Sequence, residues 1–407
     1  MREGNAVQEA SFRVESLREH RRRFQERFGN ATGDRLFFSP GRVNLMGAHL
    51  DYNGGPVMPM AIDRGTFFAV RPRADREVRL ASTLESSELN LSLERLPQAA
   101  SGSWHDYPAG VLRDLLPLAA EPSGLDVLVG GDLPIGAGLS SSASICVGMA
   151  HVLNRVWGLG LSMERCVEAA LWAEREFVGV RCGIMDPYAV GFARPGHLLW
   201  LDCKDASTSL LPLDTNEVSI AVADTGIRRE LAQGAFNQRV EECAQAFAHL
   251  RGYAPGAVCL RDVPQEVVEQ HASELAPAVA RRARHVAGEV ARTFAARDAL
   301  LRGDVASFGR AITEAHFSLR DLFEVSVPEL DCLVEASLEH EGVLGTRLTG
   351  AGFGGCTVLL LRTEAAGGLA EHLTEAFRAR FGREPAVSIF GGDGGPRELP
   401  DGSPPQA

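Results

Sequence analysis

The order of strand-like and helical patterns along the chain restricts its fold more than any other feature. Short apolar or alternating runs, which are typical of β-strands, occur at 36–93, 125–129, 197–202 and 218–223. Helical spacing occurs at 9–28, 140–156 and 162–177, and in longer segments at 236–250, 276–300, 305–322 and 329–339. Late strands at 354–361 and 386–390 flank a last helix at 368–381. Because strands and helices do not alternate regularly, we expect an α+β fold.

The same patterns predict two domains. The chain has 407 residues, which exceeds the usual size of one domain. Near residues 205–217 its pattern changes from mixed strands and helices to long helical segments. We expect an N-terminal domain at 1–209 and a C-terminal domain at 210–390. Residues 391–407 are rich in glycine and proline, and this composition predicts a disordered tail.

Lysine is nearly absent from the chain. Of 41 lysine and arginine residues, only Lys204 is a lysine. A Walker A loop needs a lysine after its glycines, and a protein kinase needs a strand lysine on the phosphates. Lys204 follows no glycine-rich loop, so an ATP site in this chain must hold the phosphates in another way.

Charge and hydropathy restrict the binding partners and the cellular compartment that we expect for this protein. The formal net charge is −12 and no basic block is present, which disfavours nucleic acid and anionic membrane surfaces as partners. The sequence shows no apolar signal segment at its start and no apolar stretch of the ~20 residues that span a membrane. The eight cysteines form no Cys-x-x-Cys pair and no metal-ligand spacing, as expected for free thiols. We therefore expect a cytoplasmic protein.

A loop of glycines and serines at 133–143, Leu-Pro-Ile-Gly-Ala-Gly-Leu-Ser-Ser-Ser-Ala, joins a predicted strand to a predicted helix. Its glycines allow close backbone approach, and the helix that begins near Ser140 presents unpaired N–H groups and the positive end of its dipole. Such a loop can bind phosphate without a lysine, and a serine hydroxyl can reach a phosphate-bound Mg²⁺. The alternative is an ordinary strand–turn–helix connection with serine caps.

Three other segments combine glycines with polar side chains. Residues 40–55 contain Arg42, His49 and Asp51, and residues 181–187 contain Asp186 after an acidic helix with Glu174. Residues 348–355, Leu-Thr-Gly-Ala-Gly-Phe-Gly-Gly, form a second glycine-rich loop before a predicted strand. Each segment alone is a weak signal, but the four in this order indicate a functional site.

The segment at 40–55, Pro-Gly-Arg-Val-Asn-Leu-Met-Gly-Ala-His-Leu-Asp-Tyr-Asn-Gly-Gly, resembles the galactokinase signature. The Gly/Ser loop and the late glycine loop resemble the other two motifs of the GHMP small-molecule kinase superfamily. The resemblance covers roughly residues 36–390 and implies a two-lobed α+β architecture with the active site in the cleft between the lobes. It also implies an ATP-dependent sugar 1-kinase, which transfers the γ-phosphate to the anomeric hydroxyl of galactose or of a relative altered at C6.

The resemblance assigns roles to individual residues. It implies that Asp186 is the general base and that Arg42 keeps this carboxylate ionised. The implied ligands of Mg²⁺ are Ser142 and Glu174, and the implied ATP contacts are Gly136, Gly138, Ser140, Ser141, Ser142, Trp104 and Tyr107. The implied sugar contacts are Ala48, His49, Asp51, Gly183 and Phe236. Core packing fits Trp104 and Tyr107 equally well, and Asp186 also fits the N-cap of a helix.

Two positions depart from the family pattern, which has Glu where this chain has Ala48 and Tyr where it has Phe236. The resemblance implies that the Glu binds the C6 side of the sugar, and losing such a charged hydrogen bond costs about 1.5–3 kcal/mol. A galacturonate- or arabinose-type substrate is therefore an alternative to galactose. Another alternative is a sugar- and ATP-binding regulator without turnover, although the base and the Mg²⁺ positions are retained. The sequence leaves open whether the protein is a monomer or a weak homo-oligomer.

Overall fold

A computed structural model describes residues 16–134, 138–180, 182–227 and 232–400. The helices are α1 (16–28), α2 (Asp106–Leu115), α3 (Ser141–Val156), α4 (Met163–Trp172), α5 (Met185–Phe192), α6 (Ala232–Leu250), α7 (Gln265–His271), α8 (Pro277–Leu301), α9 (Val305–Ser318), α10 (Pro328–Glu339) and α11 (Leu369–Phe381). The strands are β1 (Arg35–Met46), β2 (Pro56–Arg73), β3 (Glu77–Ser82), β4 (Leu89–Ser92), β5 (Gly124–Gly131), β6 (His197–Asp202), β7 (Ser207–Pro212), β8 (Val218–Asp224), β9 (Val343–Thr349), β10 (Cys356–Arg362), β11 (Ala386–Phe390) and β12 (Arg397–Leu399). Two π-helical turns, Ala173–Val178 and Leu319–Phe323, extend α4 and α9.

Two sheets organise the molecule. The first has the order β12–β1–β2–β5–β3–β4. In addition, β6 pairs with the start of β2, and β7 pairs with β6. In this sheet β3 and β5 run parallel, whereas β1–β2 and β2–β5 are antiparallel. The second sheet has the order β11–β8–β10–β9 and is antiparallel. One mixed sheet and one antiparallel sheet, with segregated helices, confirm the predicted α+β class.

Helix α3 covers one face of the first sheet and brings the Gly/Ser loop to its edge. Its apolar side belongs to a core that includes Val147 and Ala150, together with Phe68 and Val127 of the sheet. Gly148 permits this close contact, because a Cβ atom there would lie 2.5 Å from the ring of Phe68. The start of α3 is thereby fixed next to β1.

A shared hydrophobic core joins the first lobe, which is the first sheet with its helices, to the second lobe, which is the second sheet with its helices. It contains Leu45 and Met58 of the first sheet, Ile220 and Val358 of the second, and Phe308 of α9. The loop that follows β1, residues 47–55, therefore lies where the lobes meet. Within the described ranges, no helix combines the length and apolar composition that a membrane crossing requires.

The prediction of a disordered C-terminal tail is wrong for residues 391–400. Strand β12 pairs with β1, with Leu36 opposite Leu399, and Arg35 forms an ion pair with Glu398 at 2.7 Å. Glycine and proline lower the local preference for a strand, but the exposed edge of β1 and the burial of Leu399 stabilise one. Residues 401–407 lie outside the described part of the chain.

The predicted boundary between residues 209 and 210 falls within a strand. Residues 207–212 of β7 pair along their whole length with β6, so the chain leaves the first sheet only after Pro212. It enters the second sheet at Val218. The segment 391–400 then returns to the first lobe, so the first sheet contains both the first and the last strand of the described chain.

Candidate active site

An ion pair between Arg42 and Asp186 lies at the centre of the site. Arg42 is on β1 and is buried, and Asp186 lies in the first turn of α5, where the helix dipole favours a carboxylate. The guanidinium donates from Nε to Oδ1 at 2.6 Å and from Nη2 to Oδ2 at 2.7 Å. This bidentate geometry fixes the plane of the carboxylate as well as its position.

The Gly/Ser loop is bound to the same ion pair. Arg42 Nη1 donates to the carbonyl of Gly138 at 2.7 Å, and the Arg42 amide donates to the carbonyl of Leu139 at 3.1 Å. Ser140, which has a left-handed backbone with φ of 61°, donates its hydroxyl to Oδ2 of Asp186. The first turn of α3, with Ser141 and Ser142, therefore begins directly beside the carboxylate. Gly136 lies outside the described residues.

Glu174 is a buried carboxylate held near the start of α3. It lies in the π-helical turn that ends α4, an irregularity often found at functional sites. Burial and the charge of Asp186 raise the pKa of Glu174 to about 7, while hydrogen bonds from Ser142 and Cys182 and the charge of Arg175 oppose the shift. Arg175 acts on this carboxylate through its charge, but its guanidinium is bonded to the carbonyl of Cys182, with Nη2 at 2.7 Å. A buried carboxylate next to a serine hydroxyl suits a hard divalent ion such as Mg²⁺.

A pocket of about 200 Å³ opens on the other side of Asp186. All the residues predicted to contact a sugar line it together with the ion pair, namely Ala48, His49, Asp51, Gly183 and Phe236. The pocket also includes residues that the sequence did not single out, namely Asn44, Gly47, Tyr52, Cys182, Met185, Arg347, Thr349, Gly350 and Ala351. One polar pocket and one glycine-rich loop thus share a single carboxylate.

His49 is held rigidly in the wall of this pocket. Its backbone is left-handed, with φ of 58°, and its Nδ1 lies 2.8 Å from the hydroxyl of Tyr52. The ring lies 4.7 Å from Phe323 and 5.8 Å from Phe236, measured between ring centroids. Burial lowers the pKa of His49 to about 3, and the nearby His285 and Arg347 contribute. The imidazole is therefore neutral and can act as a hydrogen-bond donor or acceptor for a ligand.

Two buried polar atoms of the pocket lack a hydrogen-bond partner among the described residues. They are Oδ1 of Asn44 and Oγ1 of Thr349. Unpaired buried polar atoms are costly, and a cluster of them in one cavity is the pattern expected where a ligand rich in hydroxyl groups binds.

Gly183 and Asp51 form the floor of the pocket near the base. A Cβ atom on Gly183 would lie 1.9 Å from Oδ2 of Asp51, so a residue with a side chain cannot occupy this position without displacing the carboxylate. Burial raises the pKa of Asp51 to about 6, and the negative charge of Asp186 adds to the effect. The two carboxylates are thus close enough to interact electrostatically.

Of the two predicted adenine contacts, Trp104 lies just before α2 and Tyr107 lies in its first turn; the sequence pattern did not predict this helix. The indole N–H of Trp104 donates to the hydroxyl of Ser87 at 3.1 Å, and both rings pack against the core of the first lobe. Burial raises the pKa of Tyr107, and the charge of Glu174 contributes. The hydroxyl of Tyr107 is thus within electrostatic reach of Glu174, and contact with adenine stays a prediction.

Comparisons with known proteins agree with this arrangement. Family models match residues 22–72 as the galactokinase galactose-binding signature, 106–194 as the GHMP kinase N-terminal domain and 296–379 as the GHMP kinase C-terminal domain. The galactokinase of Roseiflexus sp. (strain RS-1) is 41% identical over 392 residues, which is 95% of this chain and 98% of that protein. The galactokinase of Canis lupus familiaris is 39% identical over 89% of this chain and 92% of that protein.

Solved structures show the same fold. The crystal structure of Lactococcus lactis galactokinase complexed with galactose has a TM-score of 0.88 at 30% identity and covers 94% of this chain and 100% of that one. The mevalonate kinase of Methanococcus jannaschii has a TM-score of 0.67 at 18% identity, over 89% of this chain and 99% of that one.

Proposed function

The chain belongs to the galactokinase family of the GHMP kinases, and from this premise we propose that it phosphorylates the anomeric hydroxyl of galactose with ATP. One observation carries the proposal more than any other. The Asp186 carboxylate is bound at once by Arg42, on the side of the sugar pocket, and by Ser140, on the side of the Gly/Ser loop. A general base between a sugar and a triphosphate must occupy this kind of position.

Asp186 accepts the proton of the anomeric hydroxyl as its oxygen attacks the γ-phosphorus. Arg42 holds the carboxylate in one plane, so that an oxygen stays aimed at the pocket, and its charge offsets the negative charge that develops during transfer. The rigid pocket fixes the sugar through His49, Asp51 and the unpaired atoms of Asn44 and Thr349. Positioning and electrostatics thus supply most of the rate, as is usual in phosphoryl transfer.

The phosphates of ATP are held without a lysine. The first turn of α3 offers backbone N–H groups and the hydroxyls of Ser141 and Ser142, and the helix dipole adds positive potential there. Ser142 and Glu174 would hold Mg²⁺, which neutralises phosphate charge when it is bound.

Replacing the base tests this function against the alternative of a regulator without turnover. The Asp186→Asn substitution keeps the shape of the side chain but removes the proton acceptor. We expect kcat for galactose to fall about 100- to 10,000-fold, with galactose binding by calorimetry retained. The control is Asp205→Asn, an exposed carboxylate on the turn after β6, which should leave ADP release unchanged. Equal rates for wild type and Asp186→Asn would support the regulator and contradict the kinase.

A further inference from the structure

A buried guanidinium in the pocket has no carboxylate partner. Arg347, on β9, is 1% exposed, and it lines the same pocket as Ala48. Its Nε donates to the carbonyl of Leu45 at 2.9 Å, its Nη1 to that of Leu348 at 3.2 Å and its Nη2 to that of Asn44 at 2.5 Å. These three acceptors are neutral, and two of the five N–H groups of the guanidinium remain. Within the described ranges, no ion pair joins Arg347 to a carboxylate.

The carboxylate that acts on Arg347 from a distance is committed to other groups. Glu289, on α8, accepts hydrogen bonds at Oε1 from the amides of Gly47 and Ala48, at 3.2 and 3.1 Å. Its Oε2 pairs with Arg292. Burial lowers the pKa of Arg347 to about 10, so the guanidinium is still protonated at neutral pH. A buried cation of this kind is costly unless a ligand completes its partners.

The acidic groups of the pocket and Arg347 are held by different contacts. The acidic groups Asp51 and Asp186 interact electrostatically with each other, and Asp51 lies against Gly183. Arg347 is bound through Asn44 and Leu45, which follow Arg42 by two and three residues on β1. At about 3.3 Å per residue, the two backbone carbonyls that hold Arg347 lie about 7–10 Å along β1 from Arg42, toward the Ala48 end of this segment. A hexose with its anomeric hydroxyl at Asp186 can direct its outermost carbon, C6, toward this end.

We propose that the pocket accepts a carboxylate at C6 of the sugar, so that the enzyme phosphorylates galacturonate as well as galactose. The proposal rests on the proposed function, because Asp186 must bind the anomeric end for C6 to face Arg347. The two remaining N–H groups of Arg347 then donate to the sugar carboxylate, and such charge-assisted hydrogen bonds are strong in a buried site. Ala48 is compatible with a sugar carboxylate, because its methyl group brings no negative charge to the pocket.

Steady-state kinetics on the full chain, with ADP release and ³¹P NMR of the sugar 1-phosphate, test the proposal. We expect kcat/KM for galacturonate to lie within tenfold of the value for galactose or above it. A value more than tenfold lower overturns the inference but leaves the proposed function intact. If neither sugar is phosphorylated, the proposed function itself fails.

A substitution at Ala48, whose amide is bound by the same Glu289 that acts electrostatically on Arg347, tests the charge argument, because replacing the buried arginine itself endangers folding. Ala48→Glu places a carboxylate in the pocket and should lower the ratio of kcat/KM for galacturonate over galactose at least tenfold, mainly through KM. Ala48→Gln has the same size without the charge and should lower this ratio less. Equal losses in the two variants would overturn the role of charge. Calorimetry with Asp186→Asn measures galacturonate binding independently of turnover, and a dissociation constant more than tenfold weaker than that of galactose overturns the proposal.

Discussion

Replacing Glu174 should make the ligand-free enzyme more stable at alkaline pH while it abolishes efficient phosphoryl transfer. Glu174 is 3% exposed, and its pKa of about 7 lies above the ordinary value of 4.5 because of burial and the nearby charge of Asp186. The folded protein therefore binds this proton more tightly than the unfolded chain does. Stability is fully retained below pH 4.5 and is lost as the pH rises through about 7.

The size of the effect follows from these two pKa values. The interval from 4.5 to about 7, multiplied by about 1.4 kcal/mol for each pH unit, gives about 3 kcal/mol of lost stability at pH 8. Glu174→Gln is neutral at every pH and keeps the shape of the side chain. It should exceed wild type in the free energy of unfolding by about 3 kcal/mol at pH 8 and by less than about 0.5 kcal/mol at pH 4.5.

Urea unfolding of wild type and variant at both pH values measures this difference. The matched control is Glu176→Gln, an exposed position in the same π-helical turn, which should change stability by less than about 0.5 kcal/mol at both pH values. Adding Mg²⁺ and ADP should stabilise wild type more than Glu174→Gln, since only wild type keeps the proposed carboxylate ligand.

Two results would refute the reasoning. If Glu174→Gln is no more stable than wild type at pH 8, burial of the ionised carboxylate is not the source of strain in the ligand-free site. If Mg²⁺ and ADP stabilise the two proteins equally, Glu174 does not hold the ion. The second result would leave the first argument standing, because the two measurements depend on different states of the enzyme.

Two further substitutions probe the pocket and the single lysine. Gly183→Ala should raise KM for galactose at least tenfold, because its Cβ would lie 1.9 Å from Oδ2 of Asp51 and displace that carboxylate; an unchanged KM would contradict the role of Asp51. Lys204→Arg should keep kcat within twofold of wild type, because Lys204 is exposed and pairs with Asp262 at 2.7 Å, outside the residues that line the pocket. A larger loss of kcat would show that the lysine takes part in catalysis.

Long elements were predictable from the sequence, and short or irregular ones were not. The helical patterns at 276–300 and 329–339 correspond closely to α8 and α10, since a 3.6-residue period over three or more turns is unambiguous. Helix α2 has ten residues and a proline in its first turn, so its period is weak although a proline is tolerated there. Strand β12 exists only because β1 offers a free edge, and local sequence carries no signal for such distant pairing.

The residues of the site also differ in whether the sequence could predict them. Arg42, Ala48, His49 and Asp51 were predictable because one short segment carries them all. Arg347 gave no such signal, since an arginine in a strand is usually exposed and its burial results from contacts with a strand about 300 residues away. The π-helical turn at Glu174 is equally invisible in the sequence, although the residue itself was found.

The scarcity of lysine is consistent with what this site requires of its cation. Arg42 makes three directional contacts at once, two with the oxygens of Asp186 and one with the carbonyl of Gly138. A planar guanidinium offers these donors in fixed directions, whereas an ammonium group is a point charge on a flexible stem. One arginine therefore joins the base to Gly138 of the Gly/Ser loop. The geometry of the base and that of the proposed phosphate site are thus coupled through a single side chain.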